Sequence, residues 1–291
     1  MRRSLLLAAL AAATLASPAL ADVTVRYRAT VPASAPAATR ANPPSLTISA
    51  DDAGQARWEM TAPGAPAAGA RAPGVALIAR EGVTYFALNG PQAGMQIVGR
   101  VDDVLSIGMQ MAAPILQGPA RATVAQVTNQ RVEIVPVGPE TVSGIQGNLY
   151  RIVLVNGETR SPPIEIVVAT DPRLAPIGRE LVRVVESFRP TLVAVAGTEP
   201  QLYAALRGMM GLGAPLRIGT EMRIDSVSTE DVPDSQFALP GPVMSREQLQ
   251  AMMGGMMGMM GNRQGQSSPM HLVPVPPSQT ATPPGNAANS H

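Results

Sequence analysis

The feature that most constrains this chain is a two-residue rhythm of apolar and polar side chains, recurring in short runs punctuated by turn residues. In residues 22–28, Val23, Val25 and Tyr27 alternate with Thr24, Arg26 and Arg28, the period of a half-buried strand. Leu46/Ile48 and Trp58/Met60 repeat the pattern on either side of Asp51-Asp52-Ala53-Gly54. From Val75 the order is strand, Glu81-Gly82 turn, strand over residues 83–88, Asn89-Gly90 turn, and strand over residues 95–98. Asn-Gly between apolar runs is a strong hairpin indicator because both residues tolerate positive φ. Further strands are predicted over residues 131–137, 149–155, 164–169, 216–218 and 221–227. Consecutive strands joined by short turns predict one antiparallel, meandering sheet, hence a mainly β chain with helices, of the α+β class.

Three helices are expected to interrupt the sheet. Asp102 or Asp103 can cap one over residues 104–112. In the second, residues 177–188, Ile177, Leu181, Val184, Val185 and Phe188 share a face opposite Arg179, Arg183 and Glu186. The third has Thr198 as N-cap and Pro200 in its first turn, with Leu202, Ala205, Leu206 and Met209 as its apolar stripe. Helices placed this way can cover one sheet face. Residues 83–88 are apolar on both sides, with Val83, Tyr85 and Ala87 on one and Phe86 and Leu88 on the other. Such a strand is covered on both faces, either by a packed helix or as part of a lined apolar pocket. Val83, Tyr85, Phe86 and Leu88 are the candidate lining.

The start of the chain predicts export. Arg2 and Arg3 precede an apolar run over residues 5–16 and the triplet Ala19-Leu20-Ala21, which is the layout of a cleavable secretory signal over residues 1–21. The apolar run falls short of the roughly 20 residues that a membrane span needs, and no later stretch supplies one. A periplasmic location is therefore expected, with no transmembrane span. Losing Arg2 and Arg3 turns the formal net charge of +1 slightly negative. The clustered basic face that nucleic-acid binding requires is missing. The chain has no cysteine, so neither a disulfide nor a lipidated cysteine is available. One β-rich domain is expected over residues 22–240, a methionine-rich amphipathic segment over 245–261, and a disordered Pro/Ser/Gln-rich tail over 262–291.

Catalytic chemistry finds little to work with. Both histidines, His271 and His291, lie in the predicted tail, and lysine is absent, so the common nucleophile–base pairs cannot be assembled. Asp51/Asp52, Asp102/Asp103 and Glu230/Asp231 each have a local turn-forming or capping task. The chain reads as a non-enzyme, with no cofactor and no metal site of ordinary type.

Two stretches carry a resemblance. Gly138-Pro139-Glu140-Thr141-Val142-Ser143-Gly144 precedes the strand bearing Tyr150, and Asp231-Val232-Pro233-Asp234-Ser235-Gln236-Phe237-Ala238-Leu239-Pro240 follows a strand. With the strand order, they resemble a family of bacterial envelope domains similar in layout to the outer-membrane lipoprotein carriers, the LolA-like fold. The resemblance implies a curved, incompletely closed β-barrel whose apolar concave face is covered by helices. In the carriers that face holds acyl chains. The carriers' ligand-contacting residues have no counterpart motif here, so none is carried over.

Beyond that layout, Ser245-Arg246-Glu247-Gln248 has the form of a capping box. Leu249, Met252, Met253, Met256, Met257 and Met260 then follow at the spacing of one helix face. Gly254, Gly255 and Gly258 weaken this helix by about 1 kcal/mol each relative to alanine, so it is expected to need a docking partner. Methionine suits irregular apolar surfaces, which makes the six residues a candidate lid or partner contact. Thioethers also favour copper(I). The sequence thus predicts a periplasmic binding protein for a lipid or other apolar ligand. A copper(I)-handling protein and an envelope interaction protein without a ligand are the alternatives, and an envelope protein is a possible partner.

Overall fold

The computed structural model describes residues 22–63, 74–89, 96–113, 130–197 and 199–265. The alternating segments become twelve strands of one antiparallel sheet. Six precede its first long helix: β1 (Val23–Ala29), β2 (Ser45–Ala50), β3 (Ala56–Thr61), β4 (Gly74–Arg80), β5 (Val83–Asn89) and β6 (Gln96–Arg100). The others are β7 (Arg131–Val142), β8 (Ile145–Asn156), β9 (Thr159–Arg160), β10 (Ile164–Ala169), β11 (Pro215–Ile218) and β12 (Met222–Ser228). Their spatial order is β6-β5-β4-β3-β2-β1-β12-β11-β10-β8-β7, with β9 paired to β8. Two meanders therefore meet at a seam between β1 and β12, and the outermost strands β6 and β7 leave the sheet open.

Turn chemistry sets the hairpins. Glu81 and Gly82 (φ 53° and 77°) and Ser143 and Gly144 (φ 49° and 81°) supply the consecutive positive φ angles that tight hairpin turns require. At the β2–β3 turn, Asp51 accepts hydrogen bonds from the Gln55 backbone N–H (2.6 Å) and side-chain amide (3.0 Å).

Helices α1 (Ala37–Ala41), α2 (Val101–Ala112), α3 (Ala175–Ala196), α4 (Gln201–Met210) and α5 (Arg246–Gly265) complete the described elements. The sequence reading stops short on several. In α2 the residue at the N-cap is Arg100, and Asp102 and Asp103 occupy the first turn instead, where they complement the helix dipole. Pro200 is the N-cap residue of α4 rather than part of its first turn, and Thr198 lies outside the described residues. Helix α3 passes through Pro190 and ends at Gly197, which adopts the left-handed conformation and donates to the Val193 carbonyl (2.8 Å). No helix of the described residues is long and apolar enough to cross a membrane. The predicted signal segment and residues 266–291 lie outside the described residues.

The main core joins α3, through Ile177, Leu181 and Val184, to Val23, Val25, Tyr27, Ile48, Trp58, Val167, Leu216 and Ile224 of the sheet. On β10 the next residues alternate away: Ile166 and Val168 pack with Ile152 and Met209 in a second cluster under α4. Ala76, Ile78, Ala87 and Val98 form a third, closed by Leu239. The sheet is thus covered on both faces in different places. The body of the protein ends at Gln250, and a second unit begins at Ala251.

Glu180 on α3 is 3% exposed. It bonds Arg183 (2.8 Å), whose guanidinium also donates to the Gly54 carbonyl (2.7 Å) and so fastens the β2–β3 turn to the helix. Burial raises the Glu180 carboxyl above its ordinary range, and the Asp51 charge adds to this against the opposing arginines. A carboxyl with a raised folded pKa binds its proton more tightly in the native state, so its ionisation lowers stability as pH rises. Relative to Glu180→Gln, the wild-type urea midpoint is expected to fall as pH climbs from the ordinary carboxylate range through the raised value. Parallel curves for the two proteins would refute the assignment.

Candidate ligand-binding face

Side chains of strand residues that pair directly project from the same sheet face, so the registers of β1–β6 can be read across as rows. The first row is Val23, Ala50, Ala56, Ala79 and Thr84. Next comes Val25, Ile48, Trp58, Leu77, Phe86 and Gly99. The third is Tyr27, Leu46, Met60, Val75, Leu88 and Ile97. All three belong to the face on which α3 packs. The first row is small, and its residues from Val23 to Ala79 are buried. Along the third, burial gives way in the middle: Tyr27 and Ile97 at the ends are buried, Leu46, Val75 and Leu88 are half-buried, and Met60 is 53% exposed. An apolar stripe therefore emerges from beneath α3 across β2–β5.

The four lining residues expected from β5 divide between two faces. Phe86 and Leu88 stand in the rows just described, whereas Tyr85 pairs with Ile78 and Val83 with Arg80 on the opposite face. The structure does not bring the four together, because a strand's alternation sends neighbours to opposite sides. Sequence reading missed Leu46, Met60, Val75 and Leu77, which join Phe86 and Leu88 only once the register is known.

No family model and no curated protein matches the chain. The site must therefore be read from its own geometry.

At the β6 margin the chain crosses to this face. The Met244 N–H donates to the Val98 carbonyl (2.8 Å), continuing the hydrogen bonding of β6. Ser245 and Gln248 then form the predicted capping box: the Gln248 N–H reaches Ser245 Oγ (3.3 Å), and the Ser245 N–H reaches Gln248 Oε1 (2.8 Å). Arg246 donates to Ser106 Oγ on α2 (2.8 Å). Leu249, 1% exposed, fills the notch above Gly99, where a Cβ would sit 2.7 Å from Leu249 Cδ1. Of the other predicted lid residues, Met252 and Met253 are half-buried on α5. Met256, Met257 and Met260 also lie on α5, with side chains outside the description.

Elsewhere several charged groups pair with one another. Arg217 bridges Glu140 (3.0 Å) and Glu165 (3.4 Å), and Arg151 also holds Glu165 (3.1 Å). These hydrogen bonds, that from Arg151 foremost, hold the Glu165 carboxyl below its usual range. Asp51/Asp52 sit at a hairpin turn, Asp102/Asp103 in a first helical turn, and Glu230/Asp231 on the exposed segment after β12. Among the described residues no group of three or more His, Asp or Glu side chains is placed to hold a metal ion. An apolar crevice under α4, lined by Ile166, Val168, Leu206 and Met209, has a free volume of only about 10 Å³, on the order of one water molecule.

Proposed function

We propose that this protein is a periplasmic binding protein that holds a lipid or similarly apolar ligand along the third-row stripe of β2–β5, beside α3. The supporting observation is one apolar row that opens in its middle: Tyr27 and Ile97 are buried at its ends, Leu46, Val75 and Leu88 are half-buried, and Met60 is exposed. A filled core buries such a row along its whole length, while a polar outer face breaks it with charge. An open antiparallel sheet with α3 across one face also agrees with the layout that the sequence resemblance to the lipoprotein carriers implies, although α4 covers part of the other face. Helix α3 packs on β1 and β2, with Ile48 and Ala50 buried in the same cluster, so the ligand belongs beside the helix, on the half-buried third row of β2–β5.

A second reading, an envelope interaction protein without a ligand, draws on the close packing under α3 and the small volume under α4. Native mass spectrometry of the gently purified protein separates the two. The expected spectrum carries co-purified apolar species, and these are depleted at least severalfold in Met60→Glu, which places a charge on an exposed position of the stripe. Repeated absence of any adduct from the unsubstituted protein would overturn ligand carriage and leave the second reading.

A further inference from the structure

The seam between β1 and β12 carries a cluster of cations on the face turned away from α3. Val25, Tyr27 and Ile224 belong to the main core, so alternation sends Arg26, Arg28 and Arg223 to the other side, where all three are exposed. Register assembles what the sequence keeps apart: Arg28 pairs directly with Arg223, and Arg223 in turn with Arg217. Like charges set opposite one another are unfavourable, and carboxylates offset this row only in part. Arg217 is held by Glu140 and Glu165, and Arg28 by Asp225 (2.9 Å). Glu59 is taken by Arg57 (3.5 Å). Among the described residues Arg26 and Arg223 have no ion-pair partner, although Glu221 lies in the turn just before β12. At the far end of the sheet, by contrast, Arg131, Arg151 and Arg160 each have one.

The surroundings narrow what such a patch can meet. Ser226 and Thr47 stand opposite Arg26, and Ser45 stands opposite Arg28, short hydroxyl side chains that leave the guanidinium groups uncovered. None of the exposed large apolar residues of the described body falls in these rows, so the patch lacks the desolvated anchor on which protein interfaces centre. It is an open sheet surface, whereas small-molecule sites are concave. Guanidinium forks match phosphate oxygens, and a layer of anionic headgroups engages several separate cations at once without a pocket. We infer that the outer face of the β1–β12 seam, through Arg26, Arg28 and Arg223, docks on the phosphate-bearing headgroups of an anionic lipid bilayer. The surface lies opposite the apolar stripe and stands independently of it.

The test is flotation of the purified protein, as the cell produces it, with vesicles of equal phosphatidylglycerol and phosphatidylcholine or of phosphatidylcholine alone. At low salt the anionic vesicles are expected to bind it about tenfold or more tightly, and the preference should collapse at about 0.5 M salt, where screening is strong. Arg26→Gln and Arg223→Gln should each weaken binding about fivefold, the usual effect of one arginine near such a surface. Both positions are exposed and unpaired, so thermal unfolding should be unchanged. Arg160→Gln removes the same charge from the exposed strand β9 and should change binding less than about twofold, since phosphate contact there is not expected. Met60→Gln, on the opposite face, should leave vesicle binding as it was. Equal binding to both vesicle types, or an equal loss in Arg160→Gln, would overturn the inference while leaving the ligand stripe untouched. Displacement by inorganic phosphate at matched ionic strength would also overturn it, in favour of a discrete oxyanion site.

Discussion

Replacing Phe237 by alanine is expected to destabilise the protein by about 3–5 kcal/mol, the usual loss for truncating a buried phenylalanine. Phe237 is fully buried in a single 3₁₀ turn, Asp234–Phe237, that lies against β3 and β4. The turn is tied down on both sides. The Val232 N–H donates to Asp22 Oδ2 (2.7 Å), and Arg57 reaches the Gln236 carbonyl (3.4 Å). From there Leu239 closes the cluster of Ala76, Ile78, Ala87 and Val98, and Met244 bonds the β6 backbone. Phe237 therefore pins a strap whose far end covers an edge strand, and its removal should loosen β6 as well. Urea unfolding gives the magnitude, and hydrogen exchange at residues 96–100 gives the locality. A loss below about 1 kcal/mol, with unchanged exchange there, would show that the strap is held by other contacts.

Gly147→Val is expected to be comparably damaging, about 3 kcal/mol or more, for the opposite reason. A Cβ at Gly147 would meet the Val168 carbonyl oxygen at 2.5 Å, Val167 Cγ1 at 2.9 Å and Leu216 Cδ1 at 3.0 Å. The first of these is backbone of the neighbouring strand, so relief requires β8 and β10 to part, and overpacking of this kind is not absorbed by a rotamer change. Gly108 in α2 provides the control, since a Cβ there meets nothing within 4 Å. Gly108→Ala should stabilise by about 0.5–1 kcal/mol through helix propensity. Thermal unfolding of the pair checks both signs, and a neutral Gly147→Val would mean that the β8–β10 contact is looser than drawn.

Most strands were legible because one of their faces is buried and alternation records that directly. The residues 131–137 strand was under-read, since Pro136 and Pro139 argue against a sheet interior. Structurally β7 continues to Val142 as an edge strand, with a register shift between Pro136 and Gly138, and edges and bulges are settings where proline's missing N–H is harmless. Pro190 likewise suggests a helix end, yet α3 runs on to Ala196 because the stop is the left-handed Gly197. Helix α1 escaped notice altogether. It is five residues long and buries none of them, so it leaves no apolar stripe to read.

The candidate site was less legible for a different reason. Periodicity says which residues of one strand share a face but not which strands lie side by side. Leu46, Met60, Val75 and Leu88 are scattered over four strands and become neighbours only through register. The capping box at Ser245 was fully legible, because all its partners lie within one turn.

The seam between β1 and β12 sets Thr24 opposite Ser228 and Ala29 opposite Met222, joining the two ends of the folded body at the middle of the sheet. Each meander can zip up from local hairpins, but the join closes a loop of almost the whole body, and that closure entropy is spent before the pairing repays it. Chains whose decisive pairings are so distant fold slowly for their stability. Until residues 222–228 arrive, β1 has an unpaired flank, and the nascent molecule remains two half-sheets awaiting their common border.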